Sequence, residues 1–402
     1  MALISPRARW LIGVLLGVVL SACHHPVTSI ENDAYVWQRQ WNAPVREAVL
    51  RSADLVSHWR VLAAQLDAKG HWVDVAYDRA TLAKAGKPVI LVVRIDGQLS
   101  EWHADEVIAH VLALRAQADG WRVSGIEIDH DCATSKLTAY TSLLMRLRQA
   151  LGDATSLSIT ALPTWIGSPS LGPLLAQVDD VVLQVHAVQS PTAGLFDPAL
   201  AKVWVDRFAA IAPHGFHVAL PAYGTRVSWD AQGRPVAIAS ETSTLDGADD
   251  GHELAATPQQ VATLLSAWRH EPPKGWRGVA WFRLPTSQDA RAWSPGTWRA
   301  VVEGRALEPA LSVQWRPNPN TGSLDVVLRN DSEFDTELPG RIALPASCTL
   351  ADGANGYMLD TRTHALTLAQ SGWLRGQGER IIGWVRCPMD SVPGAVTLNA
   401  RP

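Results

Sequence analysis

Short apolar runs alternate with amphipathic stretches from Tyr35 to about residue 305. The runs Tyr35–Trp41, Trp59–Gln65, Val89–Ile95, Val123–Asp129, Leu157–Leu162, Val181–Ala187, His217–Pro221 and Val279–Leu284 are rich in β-branched and aromatic residues, which predicts eight strands. Between them, helical spacing covers Glu101–Ala118, the stripe Leu137, Tyr140, Leu144, Leu147 and Leu151, then Pro198–Ala210 and Gln259–Trp268. Strands alternating with helices imply parallel pairing with crossovers, and eight such units over residues 35–305 predict a (β/α)8 TIM-type barrel. A doubly wound open sheet is the alternative. It would carry a glycine-rich phosphate loop after its first strand, where this chain reads Trp37-Gln38-Arg39-Gln40-Trp41-Asn42.

The period changes after Gly304. Leu311–Trp315, Leu324–Leu328, Arg341–Leu344, Ala365–Leu368 and Ile381–Val385 are short alternating strands separated by Pro, Gly, Asn and Asp, so residues 306–402 read as a small all-β, sandwich-like domain. Its two cysteines, Cys348 and Cys387, are expected to pair in an oxidising compartment, a closure worth about 4 kcal/mol in the chain-entropy model. Such a domain serves either as a carbohydrate-binding module or as a spacer and packing partner.

The chain opens differently. Arg7 and Arg9 precede an apolar run from Trp10 to Leu20, too short to span a bilayer comfortably and charged like a signal peptide over residues 1–22. Leu20-Ser21-Ala22-Cys23 resembles a bacterial lipobox, which implies lipidation of Cys23, a tether over residues 23–34 and a membrane-anchored envelope protein. His24 after the cysteine implies sorting to the outer membrane. An uncleaved anchor helix is the other reading, and it too ties the chain to a membrane. Without Arg7 and Arg9 the chain has 33 basic residues against 39 acidic ones, a net charge of −6 that argues against nucleic acid as a partner.

Chemistry gathers on the fourth predicted strand, Ser124-Gly125-Ile126-Glu127-Ile128-Asp129-His130-Asp131. Alternation puts Glu127, Asp129 and Asp131 on one face and Ile126, Ile128 and His130 on the other. Either that second face is simply wet, as in an antiparallel sheet, or a barrel strand delivers acids to a pocket at its C-terminal end. Other strand ends are polar or aromatic: Arg94 and Asp96 after the third, Trp165 after the fifth, Gln184 and His186 on the sixth, Tyr223 after the seventh, Trp281 and Arg283 on the eighth, with Trp37 on the first. These are candidate substrate-binding residues, and 18 Trp in the chain suit carbohydrate faces. The same residues also have structural roles open to them, Trp165 and Trp281 as core, His186 as a buried imidazole, Arg94 and Arg283 as neutralisers of the acids.

The fourth strand resembles, position by position, the Asp-Gly-(Ile/Leu)-Asp-(Ile/Leu)-Asp-(Trp/Tyr)-Glu motif of family-18 chitinases. The first Asp of the motif falls on Ser124, the second on Glu127, the third on Asp129 and the terminal Glu on Asp131. That resemblance implies a glycosidase barrel in which Asp131 is the general acid, Asp129 orients a substrate acetamido group that attacks the anomeric carbon, and Glu127 is an inner electrostatic partner. It also implies sugar contacts for Gln184, Tyr223 and Trp281. Arg94–Gly97, Gly125–Leu137, Pro221–Gly224 and Phe282–Pro285, on a lipoprotein, are similar to the bacterial family known as domain of unknown function 3142, whose reaction is undefined.

A metal centre is not expected, because alternation sends His130 away from Asp129 and Asp131, and no cofactor loop is present. Cys132 lacks an assignable base and reads as a buried thiol. The polar stretch Val227–Thr257 follows the seventh strand and is expected to overhang the pocket. Two functions follow: an envelope-anchored glycoside hydrolase acting on an amino-sugar polymer, or a non-catalytic carbohydrate-binding or scaffold lipoprotein. Both take a poly- or oligosaccharide as partner.

Overall fold

The computed structural model describes residues 30–118, 121–186, 194–229, 235–239, 252–369, 372–388 and 396–398. The signal segment and Cys23 lie outside the described residues, as do 230–234 and 240–251 of the stretch after the seventh strand.

Strand β1 (Glu31–Val36) leads to α1 (Ala43–Arg51), and β2 (Trp59–Leu66) leads through a short antiparallel strand β3 (Trp72–Asp74) to α2 (Arg79–Ala85). Then follow β4 (Val89–Ile95) and α3 (Ala104–Gln117), β5 (Val123–His130) and α4 (Leu137–Leu151), β6 (Ser156–Ala161) and α5 (Leu171–Leu175), β7 (Asp180–Gln184) and α6 (Pro198–Ala209). Strand β8 (Phe216–Pro221) makes an excursion through the antiparallel β9 (Gly224–Trp229), β10 (Pro235–Ala239) and β11 (His252–Ala255) before α7 (Pro258–His270), and β12 (Trp276–Phe282) precedes α8 (Pro295–Glu303). The eight strands β1, β2, β4, β5, β6, β7, β8 and β12 pair in parallel in that order, and β12 pairs back onto β1. The barrel is therefore closed, which sets the open-sheet alternative aside.

Local sequence explains the helix starts. Asn42, Asp78, Asp197 and Ser294 each accept a backbone N–H of the first turn of α1, α2, α6 and α8, and Pro stands in the first turn of three of these helices. Between strands and helices lies a core that includes Trp59, Val61, Leu91, Ile126, Ile128, Leu144 and Leu147. Each such aliphatic side chain contributes about 1.5–3 kcal/mol on burial.

The first strand differs from expectation. It runs from Glu31 to Val36, so residues 31–34 belong to the barrel and not to a tether, and Trp37 follows the strand end. Polarity hid it: Asn32 and Asp33 look like linker residues, yet the Asp33 carboxylate is fully buried against Arg60.

Among the described residues the C-terminal region holds ten strands: β13 (Leu311–Asn318), β14 (Ser323–Asn330), β15 (Thr336–Glu337), β16 (Arg341–Ala343), β17 (Leu350–Gly353), β18 (Tyr357–Asp360), β19 (Ala365–Leu368), β20 (Trp373–Leu374), β21 (Glu379–Arg386) and β22 (Val396–Leu398). The five-stranded sheet β17-β21-β14-β13-β22 and the three-stranded sheet β16-β19-β18 share a core of Val313, Val326, Leu328, Ile342, Leu366 and Val385. Cys348 and Cys387 are joined by a disulfide across this domain.

Candidate active site

Every second residue of a barrel strand faces the interior, and polar residues at that parity build two distinct clusters. The first lies toward the N-terminal end. Arg60, 1% exposed, donates through Nε to Asp33 Oδ2 (2.9 Å), through Nη2 to Asp180 Oδ2 (2.8 Å) and through Nη1 to Glu127. Glu127 is fully buried and also accepts from the Tyr35 hydroxyl (2.7 Å) and Ser158 Oγ (3.3 Å). His217 is held between Asp180 (3.0 Å) and Glu31 (3.1 Å).

Electrostatics follow from this packing. Burial alone would pull the His217 pKa down, but Asp180 and Glu31 outweigh it and bring it up to about 9. Burial acts to raise Asp180, yet His217 and Arg60 hold its carboxyl well below the usual range. For Glu127, burial prevails over Arg60 and Tyr35, and the carboxyl sits above the usual range. This cluster is a buried ion network at the closed end of the barrel, where barrel enzymes keep stability and not chemistry. Glu127 belongs to it, one inward-facing position below Asp129, so its place is the interior and not the mouth.

The second cluster lies at the C-terminal end. Asp129 is 7% exposed and accepts from Thr160 Oγ1 at 2.6 Å; burial, then the like charge of Asp131, raise its pKa to about 7 against the pull of Thr160 and Arg94. Asp131, just past the end of β5, is solvent-accessible, yet its carboxyl is hemmed in by the mouth. Burial and Asp96 raise it more than Arg94 lowers it. The two acids interact and titrate as a set. Arg94 is half-buried, its guanidinium 6.0 Å from the Trp37 ring.

An aromatic wall faces the interior beside these acids. Phe282 is its hub, with ring centroids 5.2 Å from Trp37, 5.7 Å from Tyr35, 5.3 Å from Tyr223 and 5.4 Å from His186. His186 is 4% exposed and neither ring nitrogen has a hydrogen-bond partner among the described residues; burial lowers its pKa to about 3 and keeps the ring neutral. Tyr223, whose phenol burial pushes up, feels both Arg283 and Asp131. Arg283 is 2% exposed and donates to Asp289. Gln184 Nε2 donates to the His186 carbonyl (3.2 Å), and Asp96 Oδ1 accepts from Gln98 N (2.9 Å).

Two predicted sugar contacts are corrected. Trp281 is fully buried, donates to Asn32 Oδ1 (3.0 Å) and packs against Trp293 and Trp298 on the helix side, because alternation gives the inward position to its neighbour Phe282. Trp165 is also fully buried, in a turn behind the barrel, with Nε1 donating to the Cys132 carbonyl at 2.9 Å. Cys132 itself is buried, and burial raises its thiol to about 11.

The position of Asp131 is set by its surroundings. A Cβ on Gly97 would lie 2.1 Å from the Asp131 carbonyl oxygen, so only glycine lets the loop after β4 cross there. His130, facing away from the acids, engages the Ile95 carbonyl through Nδ1 at 3.0 Å. Lys136 Nζ donates to the carbonyls of Leu99 (2.5 Å) and Ser100 (3.2 Å). Sequence reasoning passed over Thr160, Phe282, Arg60 and Asp289. A polar residue at inward parity in an otherwise apolar strand, as in Ser158-Ile159-Thr160, was the available signal.

A carboxyl held near neutrality can carry and give up a proton at ordinary pH, and flat rings beside it suit the apolar face of a sugar. Solved structures with a similar fold include the spore cortex-lytic enzyme SleL of Bacillus megaterium (10% identity, TM-score 0.52) and SleL of Bacillus cereus (14% identity, TM-score 0.50), each over 69% of this chain and 74% of that chain. A chitinase of Chromobacterium violaceum aligns over 69% of this chain and 100% of its own, with 17% identity and a TM-score of 0.48. The SleL likenesses are ones of fold. No curated protein matches the chain. Residues 313–388 match the model of one Domain of unknown function (DUF8456). Residues 85–287, which span β4 to the loop after β12 and hold both acids of the mouth, match that of another, and the chain belongs to this family, Domain of unknown function (DUF3142).

Proposed function

We propose that the protein is an envelope-anchored glycoside hydrolase acting on an amino-sugar polymer. The observation that carries this reading is the placement of Asp129 and Asp131 at the C-terminal end of β5, beside the wall of Trp37, Phe282 and Tyr223. Asp131, reachable from solvent, gives a proton to the glycosidic oxygen; Asp129, held by Thr160, orients the acetamido group whose carbonyl oxygen attacks the anomeric carbon. Arg94 limits the repulsion between the acids.

Asp131 is one methylene shorter than the glutamate of the family-18 motif, which favours as a second reading a barrel that binds glycan without cleaving it. Chitin fragments, peptidoglycan and poly-amino-sugars assayed with wild type and Asp131→Asn separate the two. Turnover lost in the variant supports the hydrolase, whereas binding without turnover in both proteins sinks it. Anchoring is tested apart from catalysis: Cys23→Ala should move the protein from the membrane fraction to the soluble one or leave an uncleaved precursor. Unchanged processing and membrane retention would remove the lipid anchor from the proposal.

A further inference from the structure

Among the described residues the C-terminal domain meets the barrel at several points, one of them the loop after β12. After β12 the chain passes Arg283, runs through residues 284–294 and enters α8. In this loop the Asp289 carboxylate, 9% exposed, accepts from Arg283 through Oδ2 and from the amides of Arg291 (3.0 Å) and Ala292 (3.1 Å) through Oδ1. The loop is in turn gripped from outside the barrel. Arg375, between β20 and β21, donates Nη2 to the Asp289 carbonyl (2.8 Å) and Nη1 to the Ala292 carbonyl (2.8 Å). Asp335, 2% exposed, pairs with Arg375 (3.0 Å) and accepts the Ser294 amide at 2.6 Å, while its own amide donates to Thr297 Oγ1 at 2.8 Å.

We infer that the C-terminal domain is a working part of the barrel mouth: Arg375 and Asp335 fix the 289–294 loop, and Asp289 in that loop fixes Arg283. A spacer or an independent binding module needs no such contact. The planar guanidinium fork spans two carbonyls three residues apart and so sets the curvature of the loop, which a flexible ammonium cannot do. The same loop also ties down the end of the neighbouring strand β8, since Trp293 donates its amide to the Ala222 carbonyl (3.0 Å) and Nε1 to the Ala256 carbonyl (2.7 Å), flanking Tyr223. Arg375 and Asp335 touch no reacting atom and are positioning residues. The inference rests on the reading of the mouth as the site.

Hydrogen exchange of the full chain tests it without a substrate, because the amides of Asp289, Arg291, Ala292, Trp293 and Ser294 are all bonded. Arg375→Met should speed exchange across 284–294 about tenfold, the scale of a lost hydrogen bond, and leave β5 unchanged. Arg375→Lys should restore it only in part. Arg316→Met, which breaks an exposed pair with Glu379 in the same domain, should leave the loop unaffected. Unchanged exchange at 284–294 in folded Arg375→Met overturns the inference. So does loosening that spreads over the whole C-terminal domain in both Arg375 variants. With a glycan that wild type turns over, Arg375→Met should raise KM more than it lowers kcat. If wild type turns over and binds no glycan, the proposed function falls, while the exchange result still decides the link between the domains.

Discussion

Asp129→Asn should make the protein more stable at alkaline pH, against the usual cost of disturbing a buried polar group. In the folded state Asp129 is raised from 3.8 to about 7, burial being the larger cause and the charge of Asp131 the next. The native state therefore binds more protons than the unfolded one between those values, and this group's contribution to stability falls as pH rises from about 4 to about 7. At 1.36 kcal/mol per unit the ceiling is about 4 kcal/mol. Water reaching Asp131 screens part of the repulsion, so about 2 kcal/mol is the working figure. Asparagine keeps an oxygen for Thr160 and loses the charge. Urea unfolding at pH 4, 6 and 8 should show the variant near wild type at pH 4 and about 2 kcal/mol more stable at pH 8. An Asn variant less stable than wild type by the same margin at every pH would mean that Asp129 is an ordinary ionised carboxylate, and the shared-proton account of the mouth would be wrong.

The ion network at the closed end behaves differently. His217, raised to about 9, contributes stability that is complete below its unfolded value of 6.5 and lost as pH climbs toward 9. The effect is at most about 3 kcal/mol, and His217→Gln should flatten the alkaline limb of a melting-temperature profile. Arg60→Met should cost about 3–5 kcal/mol in urea unfolding, because Asp33 and Glu127 stay buried without their counter-charge. Trp281→Ala should cost about 3–5 kcal/mol as a core truncation with no direct effect on sugar, whereas calorimetry of Trp37→Ala with chitin oligomers should show weakened binding and a much smaller stability loss.

What the sequence made legible was set by period. The β5 segment alternates so regularly that both its register and the outward turn of His130 are readable without coordinates. Depth was harder to read. Nothing in Glu127-Ile128-Asp129 says that the first acid meets Arg60 while the second meets Thr160, because those partners lie 67 and 31 residues away. At the end of β12 the resemblance to family-18 chitinases pointed to Trp281, but alternation hides that residue behind the sheet and turns its neighbour Phe282 inward. The start of β1 was lost for a related reason, since a buried Asp reads as a linker until its arginine is known.

The end of β5 shows how a shorter acid can still be well placed. Aspartate has one side-chain torsion fewer than glutamate, so its carboxylate follows the main chain more closely and gives up less rotamer freedom when fixed. Here that main chain is held on three sides, by the crossing at Gly97, by the His130 ring on the Ile95 carbonyl and by the Trp165 indole on the Cys132 carbonyl. Trp165, which the sequence suggested as a sugar platform, thus supports the acid from behind. Loss of its indole donor in Trp165→Phe should leave the ring packing largely intact yet disturb the titration of the Asp129–Asp131 set, which carbon-detected carboxylate NMR would read. An unchanged titration would place the control of Asp131 in the Gly97 crossing and the His130 contact.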